Sequence, residues 1–567
     1  MSETTNGVAS RDVDVVIIGA GFSGISSLYR FRKLGLKSVV FEAGSDFGGV
    51  WYHNRYPGAR VDSEWPYYQL NIPEVYTTYS FKERFPGHAE IRDYVAHVDK
   101  VLGLRKDVVF NAFVNDCSWD EGSARWTVKT KEGHVATGKY LILCTGLLHR
   151  RHYPEFPGLE NYKGALHHSG FWPEDLSTKG KKVAIIGAGA TAVQITQEIA
   201  KDASELTIFM RRPSFCLPMV QRNLSKEENR GLQLYYDTLF TQGRKSPAGF
   251  PSKRLTKSVL EATPEEREAL FEDLWSRGGF QFLMGGYYDV SLNPESNKIV
   301  YEFWARKVRD KMRPGVKRDL MAPTVENMPY HFGTKRTPLE QDYYECIDQD
   351  NVDVVDMNVK KMKSFTEKGV TFEDGTEKEF DIVVLATGFD SFSGSVTNMG
   401  LKNKDGIDIK DIWKGGIKSY LGMSFESFPN CFMIYSPHAP TALSNGPTII
   451  ESQADMIISF ISHLESAKVK SITPTSAAQE QWVEMVDQMS HLTLFPLTNS
   501  WWTGGNIPGK KVQMLTYVLG IDKYEAQCRA VLDKVEGFDI QYQDGRTEAS
   551  TDKEIDGLTV KAAMAAA

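Results

Sequence analysis

Two glycine-rich turns, one at Gly19 and one at Gly187, constrain the fold of this chain more than any other feature. The first follows the apolar run Val13–Ile18, which reads as a strand buried on both faces. Gly19-Ala20-Gly21-Phe22-Ser23-Gly24 comes next, then a helix-like stretch from Ile25 to Leu34 stopped by Gly35, then a strand Ser38–Phe41 closing on Glu42. In such a unit Gly19 permits the tight turn, Gly21 lets a pyrophosphate approach the backbone, and Gly24 lets the helix pack on the strand. The N–H groups at the helix end bind the pyrophosphate. Glu42 is placed to accept hydrogen bonds from an adenosine ribose. The second copy runs Val183–Ile186, Gly187-Ala188-Gly189-Ala190-Thr191-Ala192, a helix through Ala200, and a strand Leu206–Met210.

That second strand ends on Arg211-Arg212 instead of an acid. An acid there repels a 2′-phosphate, whereas a guanidinium binds it through two parallel hydrogen bonds. Gly19, Gly21, Gly24 and Glu42 are therefore expected to bind an unphosphorylated dinucleotide, and Gly187, Gly189, Thr191, Arg211 and Arg212 to bind NADP. Two unlike dinucleotides in one chain imply electrons passing from NADPH to a bound flavin, FAD.

Other chemistries are excluded one by one. The 567 residues suggest about three to four domain-sized units. A composition of 41% hydrophobic residues excludes wholesale disorder. The net charge of −7 argues against nucleic acid as a partner. Six scattered cysteines contain no Cys-x-x-Cys pair, which excludes a dithiol reductase. No metal-binding His pair and no Gly-x-Ser-x-Gly elbow occur, so no metal is expected. Gly504 to Lys510 imitates a phosphate-binding loop, but Lys511 stands where Ser or Thr would hold magnesium and no strand precedes it. The stretch from Met1 to Arg11 is polar, unlike a signal peptide, the final Ala-Ala-Met-Ala-Ala-Ala is no peroxisomal address, and no run is apolar enough to span a bilayer. The expectation is a cytoplasmic protein without a membrane partner. Its oligomeric state is not legible.

Two further stretches carry a family likeness. Gly48-Gly49-Val50-Trp51 leads to Tyr56-Pro57-Gly58 and Asp62, and Tyr162-Lys163-Gly164 leads to His168, Trp172 and Pro173 just before the second turn. Together with the paired turns, these make the chain from Asp12 to Gly545 resemble a type I Baeyer–Villiger monooxygenase, with Tyr162 in place of the usual Phe. The likeness implies NADPH-dependent insertion of one atom of O2 beside a ketone carbonyl, through a flavin peroxide and a tetrahedral adduct, to give an ester or lactone. It also implies roles for individual residues. In His331-Phe332-Gly333-Thr334-Lys335-Arg336, Lys335 would join Arg211 on the 2′-phosphate and Arg336 would be catalytic, oriented by Asp62. Gly49, Trp51 and Asp62 would bind cofactor, Thr441, Ala442, Leu443 and Trp501 would shape the substrate pocket, and Trp501 and Asn506 would belong to a segment, 499–510, that covers NADP, Trp501 reaching nicotinamide or substrate. Gly164, His168, Trp172 and Pro173 complete the family motif. The alternative reading is a flavin-dependent oxygenase of sulfur or nitrogen.

The order of motifs predicts an α/β fold with two Rossmann-like dinucleotide-binding domains, the NADP domain inserted in the FAD domain, plus a helical subdomain. Tyr140–Gly146 and Asp381–Gly388 are matching apolar strands that mark where the chain leaves the FAD domain and re-enters it. The expected division is 12–148 and 388–545 for FAD, 149–222 and 331–387 for NADP, a helical insertion at 223–330, and a poorly ordered tail at 546–567. Thr263-Pro264-Glu265-Glu266 predicts a helix start inside the insertion.

Overall fold

A computed structural model describes residues 10–252, 254–550 and 554–566. Up to residue 9, the polar stretch read at the N-terminus lies outside the described residues, as do 551–553 and the final Ala567 of the tail. The first sheet begins with β1 (Arg11–Ile18), β2 (Ser38–Phe41) and β3 (Val108–Val109), then takes up β4 (Val114–Asp120), β5 (Arg125–Thr130) and β6 (Val135–Leu143). In space the order is β3-β2-β1-β6-β5-β4. β1 is central and parallel to both neighbours, with Val15 level with Ser38 and Tyr140. Its last four residues are all buried, the mark of a strand covered on both faces. Helix α1 (Phe22–Lys33) covers one face and starts directly after Gly21.

The second sheet contains β7 (Ala165–His168), β8 (Lys182–Ile186), β9 (Glu205–Met210), β10 (Val352–Asp356) and β11 (Ile382–Leu385). All its pairings are parallel, in the order β10-β9-β8-β11-β7. Helix α2 (Ala190–Ile199) joins β8 to β9. The chain then returns to the first sheet, where β12 (Cys431–Met433) pairs in parallel with β6. The second sheet is thus nested within the first. The outgoing and returning segments run antiparallel as a short ribbon. Arg151 bridges Phe389, His152 donates its N–H to the Gly388 carbonyl at 3.0 Å, and Asp390 donates to Arg150 at 2.8 Å.

Helices fill the interval between β9 and β10. α3 (Pro264–Arg277) opens with the predicted cap: Thr263 accepts from Glu266 N–H, and the Glu266 carboxylate accepts from Thr263 N–H. α4 (Pro294–Arg309) packs Phe303 against Phe271 and Trp275 of α3, while its Trp304 is buried against Phe215 and Phe332. A partly buried ion cluster ties this cover to the first domain: Arg30 of α1 and Arg244 of the cover both reach Asp455 of the long helix α5 (Gly446–Ser466), and Arg244 also pairs with Glu525 at 2.7 Å. No helix among the described residues is long and apolar enough to cross a membrane.

The expected disorder beyond Gly545 is not met in the described residues. Thr547–Glu548 pairs with Phe538–Tyr542, and Val560–Ala565 is helical with Ala563 buried. Ile555 and Leu558 supply the anchoring apolar surface, and Gln481 hydrogen-bonds the backbone around them. Three small apolar contacts spaced through a polar segment are too sparse to register as a periodic pattern.

Candidate active site

The two turns are built to admit phosphate. A Cβ on Gly24 would stand 1.9 Å from the Gly19 carbonyl oxygen, and one on Gly187 would stand 2.4 Å from that of Ala386. Gly49 touches the first turn so closely that its Cβ would lie 2.9 Å from Gly21 Cα, and its φ of 54° is in the left-handed region. Neither α1 nor α2 has a side-chain cap, so their first-turn N–H groups are left for a ligand. Glu42 is buried at the end of β2 and accepts N–H bonds from Ala20 at 2.6 Å and Gly44 at 2.7 Å. Burial raises its pKa, and those two N–H groups work against the rise. Each oxygen keeps a second lone pair for a ribose hydroxyl.

Both turns open into one cavity of about 1900 Å³. On its wall Arg336 Nη2 lies 2.5 Å from Asp62 Oδ2. The Asp62 carboxylate is 4% exposed and its second oxygen has no partner. Arg336 is 44% exposed, and it lines the chamber. Burial opposes its charge, but the charge and hydrogen bond of Asp62 outweigh burial, so its pKa stands above the ordinary Arg value. Tyr56 and Tyr435 also act on that charge, and Tyr68 feels it, while Trp51 Nε1 donates to Tyr68 at 3.0 Å. Tyr56 reaches Gln194 of α2 at 2.9 Å, and Gly58 packs so tightly on Gln194 that a Cβ would be 2.6 Å from its carbonyl oxygen. The Tyr-Pro-Gly stretch therefore docks one nucleotide domain on the other.

Farther along the wall, Arg211, Arg212 and Lys335 converge. Burial first, then the two guanidiniums, bring the Lys335 ammonium down to about 8. None of the three has a carboxylate partner among the described residues, and Lys335 rests on the Tyr330 ring at 4.6 Å. Three clustered cations without a counter-charge, beside an uncapped helix, suit a phosphate dianion.

A family model described as flavin-binding monooxygenase-like matches residues 12–228. The FAD-binding monooxygenase acrE of Aspergillus aculeatus is 41% identical, over 94% of this chain and 90% of the relative. The cyclopentanone 1,2-monooxygenase of Comamonas sp. is 38% identical, over 93% and 96%. The NADP+-bound crystal structure of cyclohexanone monooxygenase from Rhodococcus sp. Phi1 superposes with a TM-score of 0.90 at 31% identity, covering 94% of this chain and all of that one. The chain belongs to the Baeyer–Villiger monooxygenase family. It is an FAD- and NADP-dependent enzyme.

Several motif residues of this monooxygenase sit outside the chamber. His168 accepts the Gly170 N–H at Nδ1, so its proton is on Nε2, which meets the Gly388 carbonyl at 3.0 Å. Burial lowers this imidazole to about 4, so it is neutral and holds the returning strand of the ribbon. Tyr162 donates to the Phe380 carbonyl at 2.9 Å, and neither Gly164, His168, Trp172 nor Pro173 lines the cavity. Thr441, Ala442, Leu443, Trp501 and Asn506 do line it, although the Thr441 hydroxyl is turned to the Ser436 carbonyl. Trp501 leans on Phe392, whereas buried Trp502 leaves its indole N–H without a partner. Lys510, in the loop that imitates a phosphate site, is bound instead by Asp390 and Ser393. Sequence reasoning missed the tyrosines around Arg336. Tyr56 lay inside the quoted motif, but Tyr68 and Tyr435 carry no local signal.

Gly24→Ala tests the first turn. The added methyl must displace backbone, so the purified variant is expected to lose FAD, read as loss of flavin absorbance at equal protein concentration.

Proposed function

We propose that this chamber converts a ketone, O2, NADPH and a proton into an ester or lactone, water and NADP+, with Arg336 as the catalytic cation and Asp62 as its positioning partner. The observation that carries this reading is the Arg336–Asp62 pair on the wall of a cavity shared by both nucleotide turns. Bound FAD, reduced by NADPH, supplies the activated oxygen. Arg336 supplies a planar charge that does not titrate and stabilises the oxyanion developing at the ketone oxygen. A Lys can be pulled toward neutrality by burial and neighbouring cations, as Lys335 illustrates nearby. Gly19, Gly21, Gly24, Glu42, Gly49 and Trp51 hold FAD. Gly187, Gly189, Thr191, Arg211, Arg212 and Lys335 hold NADP, covered by Trp501 and Asn506. Thr441, Ala442, Leu443 and Trp501 border the ketone, and we assign the enzyme to the cytoplasm.

The test is anaerobic reduction with NADPH or NADH, then aeration with a panel of cyclic, linear and aryl ketones and sulfides, products being identified by mass spectrometry. Faster reduction by NADPH and an ester from at least one ketone are expected. Sulfoxides with no ester from any ketone would show a heteroatom oxygenase instead.

A further inference from the structure

The chamber is lined by far more cations than acids. Among the described residues its only carboxylates, Glu42 and Asp62, are engaged by backbone N–H groups and by Arg336. Most of the cations are also accounted for. Arg60 pairs with Glu83 at 3.1 Å, Arg150 with Asp390 at 3.6 Å, and Lys131 lies over the Phe113 ring at 4.0 Å. Arg211, Arg212 and Lys335 form the phosphate cluster. Arg254 is different. It lines the same cavity, is open to it, and has neither an ion pair nor a hydrogen bond among the described residues.

Its place in the fold is well defined. Upstream, Asn445 donates to the Ala248 carbonyl at 2.9 Å and Phe250 packs edge-on against Tyr67 at 5.6 Å, so this segment lies against the end of the 441–445 loop. Downstream, Leu255 donates to the Gly286 carbonyl at 3.1 Å and bridges Tyr287. Leu283, four residues before Tyr287, approaches Gly333, three positions before Arg336. Arg254 therefore stands on the cover side of the chamber, between the substrate loop and the Arg336 segment, with Phe280, Leu283, Met284 and Tyr287 lining the same wall. Burial alone pulls its pKa below the ordinary Arg value, with no acid to offset it. An exposed guanidinium that faces the chamber without a counter-charge keeps its planar fork of donors free for an anionic group on a ligand.

We propose that Arg254 binds a carboxylate on the substrate, so that this enzyme prefers ketones that are also acids. The carboxylate would be held by two parallel charge-assisted hydrogen bonds on the cover side, leaving the carbonyl to face Arg336. This rests on the oxygenase reading given above.

The probe is a matched pair, 3-oxocyclopentane-1-carboxylate and its methyl ester, assayed with the full-length FAD-loaded enzyme. The acid is expected to have a KM at least tenfold below that of the ester. In Arg254→Ala that ratio should fall to about one, with the acid's KM carrying the change. Arg254→Lys should keep part of the preference. Equal KM values for acid and ester in the unmodified enzyme overturn the proposal, as does an unchanged ratio in Arg254→Ala. A rise in the KM for NADPH in place of that for the acid would assign Arg254 to the nucleotide and equally overturn it. If no ketone of any kind yields an ester, the oxygenase reading fails instead. Binding of the acid to unmodified and Arg254→Ala enzyme, followed through the visible flavin spectrum, then still decides the role of Arg254.

Discussion

Replacing Arg336 with Ala is expected to cut ester formation by about two to three orders of magnitude or more, the loss typical when a donor to a developing oxyanion is removed. Anaerobic reduction of the flavin by NADPH should continue near its normal rate, because the phosphate cluster and both turns are untouched. The two half-reactions therefore separate in a stopped-flow experiment followed by product analysis. The unpartnered oxygen of Asp62 sharpens the prediction. Without Arg336 that carboxylate, 4% exposed, faces a site meant for an oxyanion and repels it. Arg336→Lys should not restore activity, since an ammonium cannot reproduce the planar fork. Ester formation surviving near the normal rate in Arg336→Ala would remove Arg336 from the chemistry.

Lys335→Ala should raise the KM for NADPH by roughly ten- to a hundredfold, from the loss of about 1.5–3 kcal/mol in one charged hydrogen bond, with little change for NADH. Lys335 also predicts a pH dependence. In the free enzyme its ammonium sits at about 8, because burial, Arg212 and Arg211 disfavour the charged form. Below that value the site meets the 2′-phosphate fully charged. Above it a proton must be taken up on binding, so the KM for NADPH should rise with pH through 8 and beyond. Lys335→Arg should flatten that rise, as a guanidinium does not titrate in this range. A profile that is the same in Lys335→Ala and the unmodified enzyme would place the titrating group elsewhere.

The nucleotide half of this site was readable because it is made of local pattern. A strand, three small residues at fixed spacing and a helix follow one another in the chain, and the clashes at Gly19, Gly24 and Gly187 state the reason for the spacing in ångströms. Arg336 and Asp62 were reachable only through the family likeness, since they are 274 positions apart and nothing local pairs them. The tyrosines escaped notice for the same reason. Tyr56, Tyr68 and Tyr435 are ordinary aromatics in sequence, and only packing brings them around one guanidinium. The His168 motif was found but its task was not, because holding a carbonyl at Gly388 is a long-range contact. The final helix was missed for want of a strong apolar period.

The ribbon formed by Arg150–His152 and Thr387–Asp390 has a further consequence. A segment that leaves and returns at one point is a removable part, and recombination or an engineer can exchange it whole. Such a transplant carries the second turn, the phosphate cations, the cover and Arg336. It leaves Asp62 with the host. The charge pair then forms only when the host offers an acid in register, so a hybrid of two such enzymes must match at this 2.5 Å contact as well as where Tyr56 meets Gln194 and Arg244 meets Asp455.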